Sequence, residues 1–107
     1  MREFILVITT LDDKDKAKII ARKLVEEDYA ACVQILGPGE SVYRWRGKVE
    51  EAKEWLLFIK TTSERYKGLE TLIKRLHPYE VPEIIALPII DGNEDYLRWI
   101  VDEIGDA

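Results

Sequence analysis

The chain has 107 residues, 47% hydrophobic and 35% charged, with 21 acidic against 16 basic side chains and a net charge of −5. That length fits one domain, spanning 1–107, with enough apolar residues for a core. An acidic chain repels phosphate backbones, which argues against nucleic acid as a partner, and it favours counter-cations near its surface. No apolar run approaches the ~20 residues needed to cross a membrane. The single cysteine, Cys32, rules out an internal disulfide. No signal-peptide pattern is present, so the expected location is cytoplasmic. The charged fraction exceeds the roughly 25% typical of soluble domains. It fits the ion-paired surface of a heat-adapted protein or, equally, ordinary solvated helix faces.

Phe4-Ile5-Leu6-Val7-Ile8 is continuous, apolar and rich in β-branched residues, which predicts a central strand buried on both faces. Thr9 and Thr10 lead to Asp12 and Asp13, both suited to cap a helix. Ala17, Ile20, Ala21, Leu24 and Val25 then form one helical stripe. A second strand is predicted over Ala30 to Leu36 and continues from Ser41 to Trp45, with Gly37-Pro38-Gly39 marking a bulge or bend between them. Trp45-Arg46-Gly47-Lys48 is a tight turn, and Val49 to Thr62 returns as the third strand. Thr62 or Ser63 can cap a second helix whose apolar face is Tyr66, Leu69, Leu72, Ile73 and Leu76. His77-Pro78 ends it, because the residue before proline is pushed out of the α region. Pro82 to Leu87 reads as the fourth strand. Asp91-Gly92 turns the chain, and Asn93 caps a last helix that buries Tyr96, Leu97, Ile100, Val101 and Ile104.

The order β-α-β-β-α-β, with one further C-terminal helix, is the split βαβ pattern of a ferredoxin-like α/β (α+β) fold with an antiparallel sheet. The stretch Ala30 to Trp45 would extend to roughly 50 Å. A body of this chain length has a radius of gyration near ~13 Å and is about 35 Å across. A straight hairpin would therefore overhang, carrying Val42, Tyr43, Trp45, Val49 and Trp55 into water. Packing against sister copies in a cyclic homo-oligomer solves this; a hairpin folded back over its own sheet is the other solution.

Several segments carry a family resemblance. Ala30-Ala31-Cys32-Val33-Gln34-Ile35 resembles AACVNI, and Ser41 to Lys48 resembles an S-x-Y-x-W-x-G-K hairpin. Glu54 with Lys60-Thr61-Thr62 is similar to an E-x₅-K-T-T strand. His77-Pro78-Tyr79-Glu80-Val81-Pro82-Glu83-Ile84 matches HPYxxPEI, and Gly92-Asn93 with Tyr96-Leu97 and Trp99-Ile100 matches the C-terminal end. In this order and over nearly the whole chain, they resemble the divalent-cation tolerance (CutA) family. The resemblance implies a homotrimer of ferredoxin-like subunits, similar in architecture to the nitrogen-regulatory PII signalling proteins, with a link to copper and no established catalytic mechanism.

His77, the only histidine, suits copper or zinc as a ligand. It is equally suited to end a helix with its ring bonded to a neighbouring carbonyl. Cys32 is a soft donor for copper(I), or a small buried hydrophobe. Some family members carry a second cysteine at the end of the first strand, within their copper site; Thr9 stands here, a poor ligand for soft metals. Glu83, with Glu80 and Glu54, can supply hard carboxylates or stay solvated. Lys60-Thr61-Thr62 precedes a helix start and can hold an anion or form a plain strand end. Tyr43, Trp45, Tyr79, Tyr96 and Trp99 can line an inter-subunit cleft or form an interface core. No Ser-His-Asp, CxxC or HExxH arrangement is present, which disfavours an enzyme. The expected function is a non-enzymatic homotrimer that binds divalent metal ions, copper foremost, and requires no cofactor. The alternatives are a PII-like module binding a small anion between subunits, and a scaffolding trimer.

Overall fold

β-Branched and large apolar residues dominate Phe4–Leu11, and this segment forms β1, one of the two inner strands of the sheet. The structure, a computed structural model, describes residues 3–105. Ile5, Val7, Thr9 and Leu11 are buried on one face of β1, while Phe4, Leu6 and Ile8 on the other are half-buried. Within one subunit the strand is thus sealed on one face only, and Thr9 and Thr10 belong to it. The strand order is β2-β3-β1-β4, and every pairing is antiparallel.

Asp13, not Asp12, caps α1 (Lys14–Glu26): its carboxylate accepts the Lys16 amide at 3.0 Å. Ala17, Ile20 and Leu24 bury the inner stripe, whereas Val25 lies at its edge and is exposed. A 3-10 turn over Ser63–Arg65 leads into α2 (Tyr66–Leu76), which buries Leu69, Leu72 and Ile73. Thr62 makes no side-chain capping bond there. α1 and α2 cover the same face of the sheet, meeting Ile5, Val7, Leu57 and Ile59 in one core. Each such side chain removed from water contributes about 1.5–3 kcal/mol.

β2 (Cys32–Trp45) and β3 (Lys48–Thr62) form one long ribbon, paired from Cys32↔Lys60 to Trp45↔Lys48. The register shifts between Leu36 and Gly39, so Gly37-Pro38-Gly39 is a bulge within a continuous strand. Arg46 (φ 51°) and Gly47 (φ 81°) make the two-residue turn, both left-handed, as a type I′ hairpin requires. β1 stops pairing at Leu11↔Trp55, so the ribbon beyond Trp55 runs past the body. The molecule measures 44 × 25 × 22 Å with a radius of gyration of 14.4 Å, longer than the compact estimate. Val42 and Val49 on the overhang are 67% and 65% exposed; the ribbon does not fold back over its own sheet.

β2 begins at Cys32 because Tyr29 and Ala30 spend their amides on the Leu24 carbonyl at the end of α1. β4 (Ile84–Ile89) starts two residues later than the proline pattern suggested and runs through Pro88. β4 is an edge strand, where a missing N–H is tolerated. α3 (Glu94–Ile104) is capped by Asn93, which accepts the Tyr96 amide at 3.0 Å. Arg65 closes its other end by donating to the Ile104 carbonyl at 2.6 Å. Ile100 and Ile104 are buried outside the main core, Leu97 and Val101 are half-buried, and Tyr96 is exposed.

Gly68 lets α2 approach the Tyr29 ring: a Cβ there would lie 2.3 Å from the ring's Cε1 and 3.0 Å from Cζ. Gly68→Ala gains about 1 kcal/mol in helix propensity but overpacks a core contact at about 1–3 kcal/mol. The expected net is a loss of up to ~2 kcal/mol in denaturant unfolding. A gain in stability would show that Tyr29 moves freely.

Candidate functional site

Strand alternation puts Ser41, Tyr43 and Trp45 on one face of the ribbon, beside Ala52 and Glu54 across it, since Gly39↔Glu54, Ser41↔Ala52 and Tyr43↔Glu50 are register partners. The segment between α2 and β4 lies against this overhang. Together with Thr10 and Asp12 at the end of β1, they enclose a cavity of about 600 Å³. Tyr79, Glu80, Val81 and Glu83 supply the far wall. Four carboxylates, those of Asp12, Glu54, Glu80 and Glu83, thus face one space; among the described residues the one ion pair made to them is that of Arg46 with Glu80 at 3.6 Å, on the solvent side.

Two hydrogen-bonded side chains fasten that wall. His77, 8% exposed, donates from Nε2 to the Thr10 carbonyl at 2.8 Å, and its Nδ1 accepts the Tyr79 amide at 3.1 Å. Both partners together require the neutral Nε2–H tautomer. Burial pushes the His77 pKa down, outweighing the Thr10 carbonyl and the Glu54 and Asp12 carboxylates, which favour the charged ring. The Tyr79 ring meets His77 edge-on at 4.8 Å, and its hydroxyl donates to Glu54 Oε2 at 2.5 Å. Burial, then the Glu54 carboxylate, drives the Tyr79 pKa far above its usual value, so the phenol stays a donor. Glu54 is itself 6% exposed.

Of the three metal-ligand candidates, Glu83 lines the cavity as an exposed carboxylate. His77 stands behind the wall with both ring nitrogens engaged. Cys32 pairs with Lys60, six residues along β3 from Glu54, roughly 20 Å away. Its thiol meets the Tyr96 hydroxyl instead, a contact that, after burial, raises the Tyr96 pKa. The three therefore do not converge. Among the described residues no group of three or more His, Cys, Asp or Glu side chains is arranged to hold a metal ion. Lys60 bonds Gln34, Thr61 is buried and donates to the Tyr29 carbonyl at 2.7 Å, and Thr62 is buried. The Ser63 amide that follows donates to the Glu3 carbonyl at 2.9 Å. Tyr43, Trp45 and Tyr79 share the cavity, whereas Tyr96 and Trp99 stack on each other at 5.5 Å on α3. Asp12, read from sequence only as a helix cap, is the cavity carboxylate that the sequence reading missed. The signal available was that one of two adjacent aspartates is redundant as a cap.

His77 yields a pH prediction. A histidine kept neutral by burial stabilises the fold above its unfolded pKa of about 6.5 and loses that contribution as pH falls, because the unfolded chain takes up the proton more readily. The stability difference between wild type and His77→Gln should shrink in denaturant unfolding as pH drops from 7 toward 5. A difference that widens on acidification would mean that the folded state holds a protonated imidazole.

The sequence and fold have known counterparts. A family described as "CutA1 divalent ion tolerance protein" matches residues 5–103. The "Divalent-cation tolerance protein CutA" of Thermus thermophilus is 47% identical over 100 residues, covering 94% of this chain and 97% of that protein. The "Protein CutA homolog" of Xenopus laevis is 50% identical over 86 residues, covering 80% of this chain but 57% of its own length, so that relative is a longer protein. The crystal structure of CutA1 from Oryza sativa superposes with a TM-score of 0.94 at 41% identity, covering 98% of this chain and 96% of that one. A structure titled as the periplasmic divalent cation tolerance protein CutA from Archaeoglobus fulgidus gives 0.90 at 36% identity, covering 98% and 100%. The likeness runs through both strands of the ribbon and the cavity wall alike, and the chain belongs to the CutA1 divalent ion tolerance protein family.

Proposed function

We propose that this protein is a divalent-cation tolerance protein that binds divalent metal ions, copper foremost, as a non-enzymatic homotrimer. The observation that carries the reading is the cavity with four carboxylates, of which Glu80 alone is ion-paired among the described residues. Such a concave acidic space concentrates cations. Among divalent ions, copper(II) gains most from any mixed oxygen and nitrogen donor set. The names of its relatives speak of divalent cations. The carboxylates of one chain are spread around the cavity rather than gathered into a chelate, so binding within a subunit is weak and open unless another subunit adds donors.

Assembly is supported by the surface. The overhanging ribbon exposes Val42, Val49, Tyr43 and Trp45, and the half-sealed face of the sheet exposes Leu36, Ile85 and Leu87. That is a costly set to leave in water. Among the described residues no helix is long and apolar enough to cross a membrane. We place the protein in the cytoplasm on its single thiol, although one relative carries a periplasmic title. An anionic ligand in the same cavity is a poorer reading, because four carboxylates would repel it.

Calorimetric titration with Cu²⁺ tests the site. Glu83→Gln with Asp12→Asn should weaken binding by about tenfold, while Cys32→Ser should leave it unchanged. Undiminished affinity in the carboxylate variant, or loss in the cysteine variant, would move the site to the other end of the sheet. Sedimentation at micromolar concentration should return three times the 12.5 kDa chain mass; a well-folded monomer would contradict the assembly.

A further inference from the structure

We infer that the cavity between the ribbon and the α2–β4 segment is a binding site for a small organic ammonium ion, with Glu54 as its charge partner and Trp45 and Tyr43 as its walls. The first ground is an unmet need at Glu54. Its side chain is nine-tenths buried, and Oε2 accepts the Tyr79 hydroxyl. The other carboxylate oxygen has no hydrogen-bond partner among the described residues. It is not sealed in protein either, since neither Glu54 oxygen is among the fully enclosed side-chain atoms that lack a hydrogen bond. It therefore opens on the cavity that Glu54 lines. A buried carboxylate is stable when paired, and among the described residues no lysine or arginine is paired with Glu54; the nearby Arg46 pairs with Glu80 instead.

Size is the second ground. About 600 Å³ matches a metabolite and is far larger than a bare metal ion, which needs oxygens drawn to within about 2.0–2.6 Å. No such grouping of carboxylates exists among the described residues. Surface chemistry is the third. Tyr43, Trp45 and Tyr79 line the cavity alongside the carboxylates, and aromatic faces attract ammonium groups while accepting the carbon attached to them. The Trp45 ring already holds a cation of the chain itself, with the Arg46 guanidinium 5.5 Å from its centroid. Carboxylate plus aromatic wall, in a space wider than a bare metal ion needs, suits an organic cation and disfavours any anion.

The inference concerns the same cavity as the metal reading but does not depend on it. Titrating the purified, assembled protein in the presence of a chelator therefore separates the two. Choline and putrescine are the probes, and the uncharged analogue of choline, with carbon in place of nitrogen, is the control. Saturable binding of either ammonium, absent for the uncharged analogue, is expected. Glu54→Gln, which keeps an acceptor for Tyr79, should weaken it about tenfold, and so should Trp45→Leu at a partly exposed ring. Thermal unfolding of both variants verifies that they are folded. Binding of neither ammonium overturns the inference, as it would if a second copy fills the cavity. Equal binding of the uncharged analogue, or undiminished binding by folded Glu54→Gln, overturns it as well.

Discussion

The hydrogen bond from the Tyr79 hydroxyl to Glu54 is the contact on which the site depends. It is the buried fastening of the ribbon beyond Trp55 to the α2–β4 segment, whose other polar contact with the overhang, the Arg46–Glu80 ion pair at 3.6 Å, is exposed to solvent. A bare two-stranded ribbon is marginal in water. The bond joins a nearly buried carboxylate to a phenol that burial keeps protonated, so donor and acceptor roles are fixed. A hydrogen bond to a charged group contributes about 1.5–3 kcal/mol, and leaving such a group unpaired costs more. His77 completes the arrangement by gripping the same segment and the Thr10 carbonyl at the end of β1. Three separate stretches of chain thus converge on one acidic, aromatic space.

The position of that space follows from the sheet. β1 ends at Leu11 while β2 and β3 continue, so a step is left at the end of the central strand. The cavity occupies the step. Strand alternation then decides most of its lining, with Ser41, Tyr43, Trp45 and Glu54 on one face of the ribbon, although Val42 also reaches it. The same overhang that exposes Val42 and Val49 to water therefore builds the pocket. The surface proposed to meet sister subunits and the surface proposed to collect cations are parts of one ribbon.

Much of this was legible in the residues. The alternation of strand and helix patterns, the Arg46-Gly47 turn and the capping Asn93 all follow from local rules, which depend on near neighbours. The overhang was legible too, since strand length and body size are separate quantities read from the same chain. Convergence was not. Cys32 and His77 look equivalent as donors in sequence, but register places Cys32 opposite Lys60 and far from the cavity. A His77 ring bonded to a carbonyl was one of the two readings open in sequence, but its partner was not legible, since the fold brings it the Thr10 carbonyl from 67 residues away. Asp12 and Asp13 are indistinguishable as caps until the helix axis selects one. Pro88 looks like a strand breaker until β4 is known to be an edge.

The central claim is that cations gather in the step at the end of β1 rather than at the thiol end of the sheet. Paramagnetic Mn²⁺, added in substoichiometric amounts while amide resonances are recorded, tests this most directly. The account predicts selective broadening of Asp12, Glu54, Tyr79 and Val81, with Cys32 and Tyr96 unaffected. Broadening centred on Cys32 and Tyr96, with the cavity resonances sharp, would contradict it.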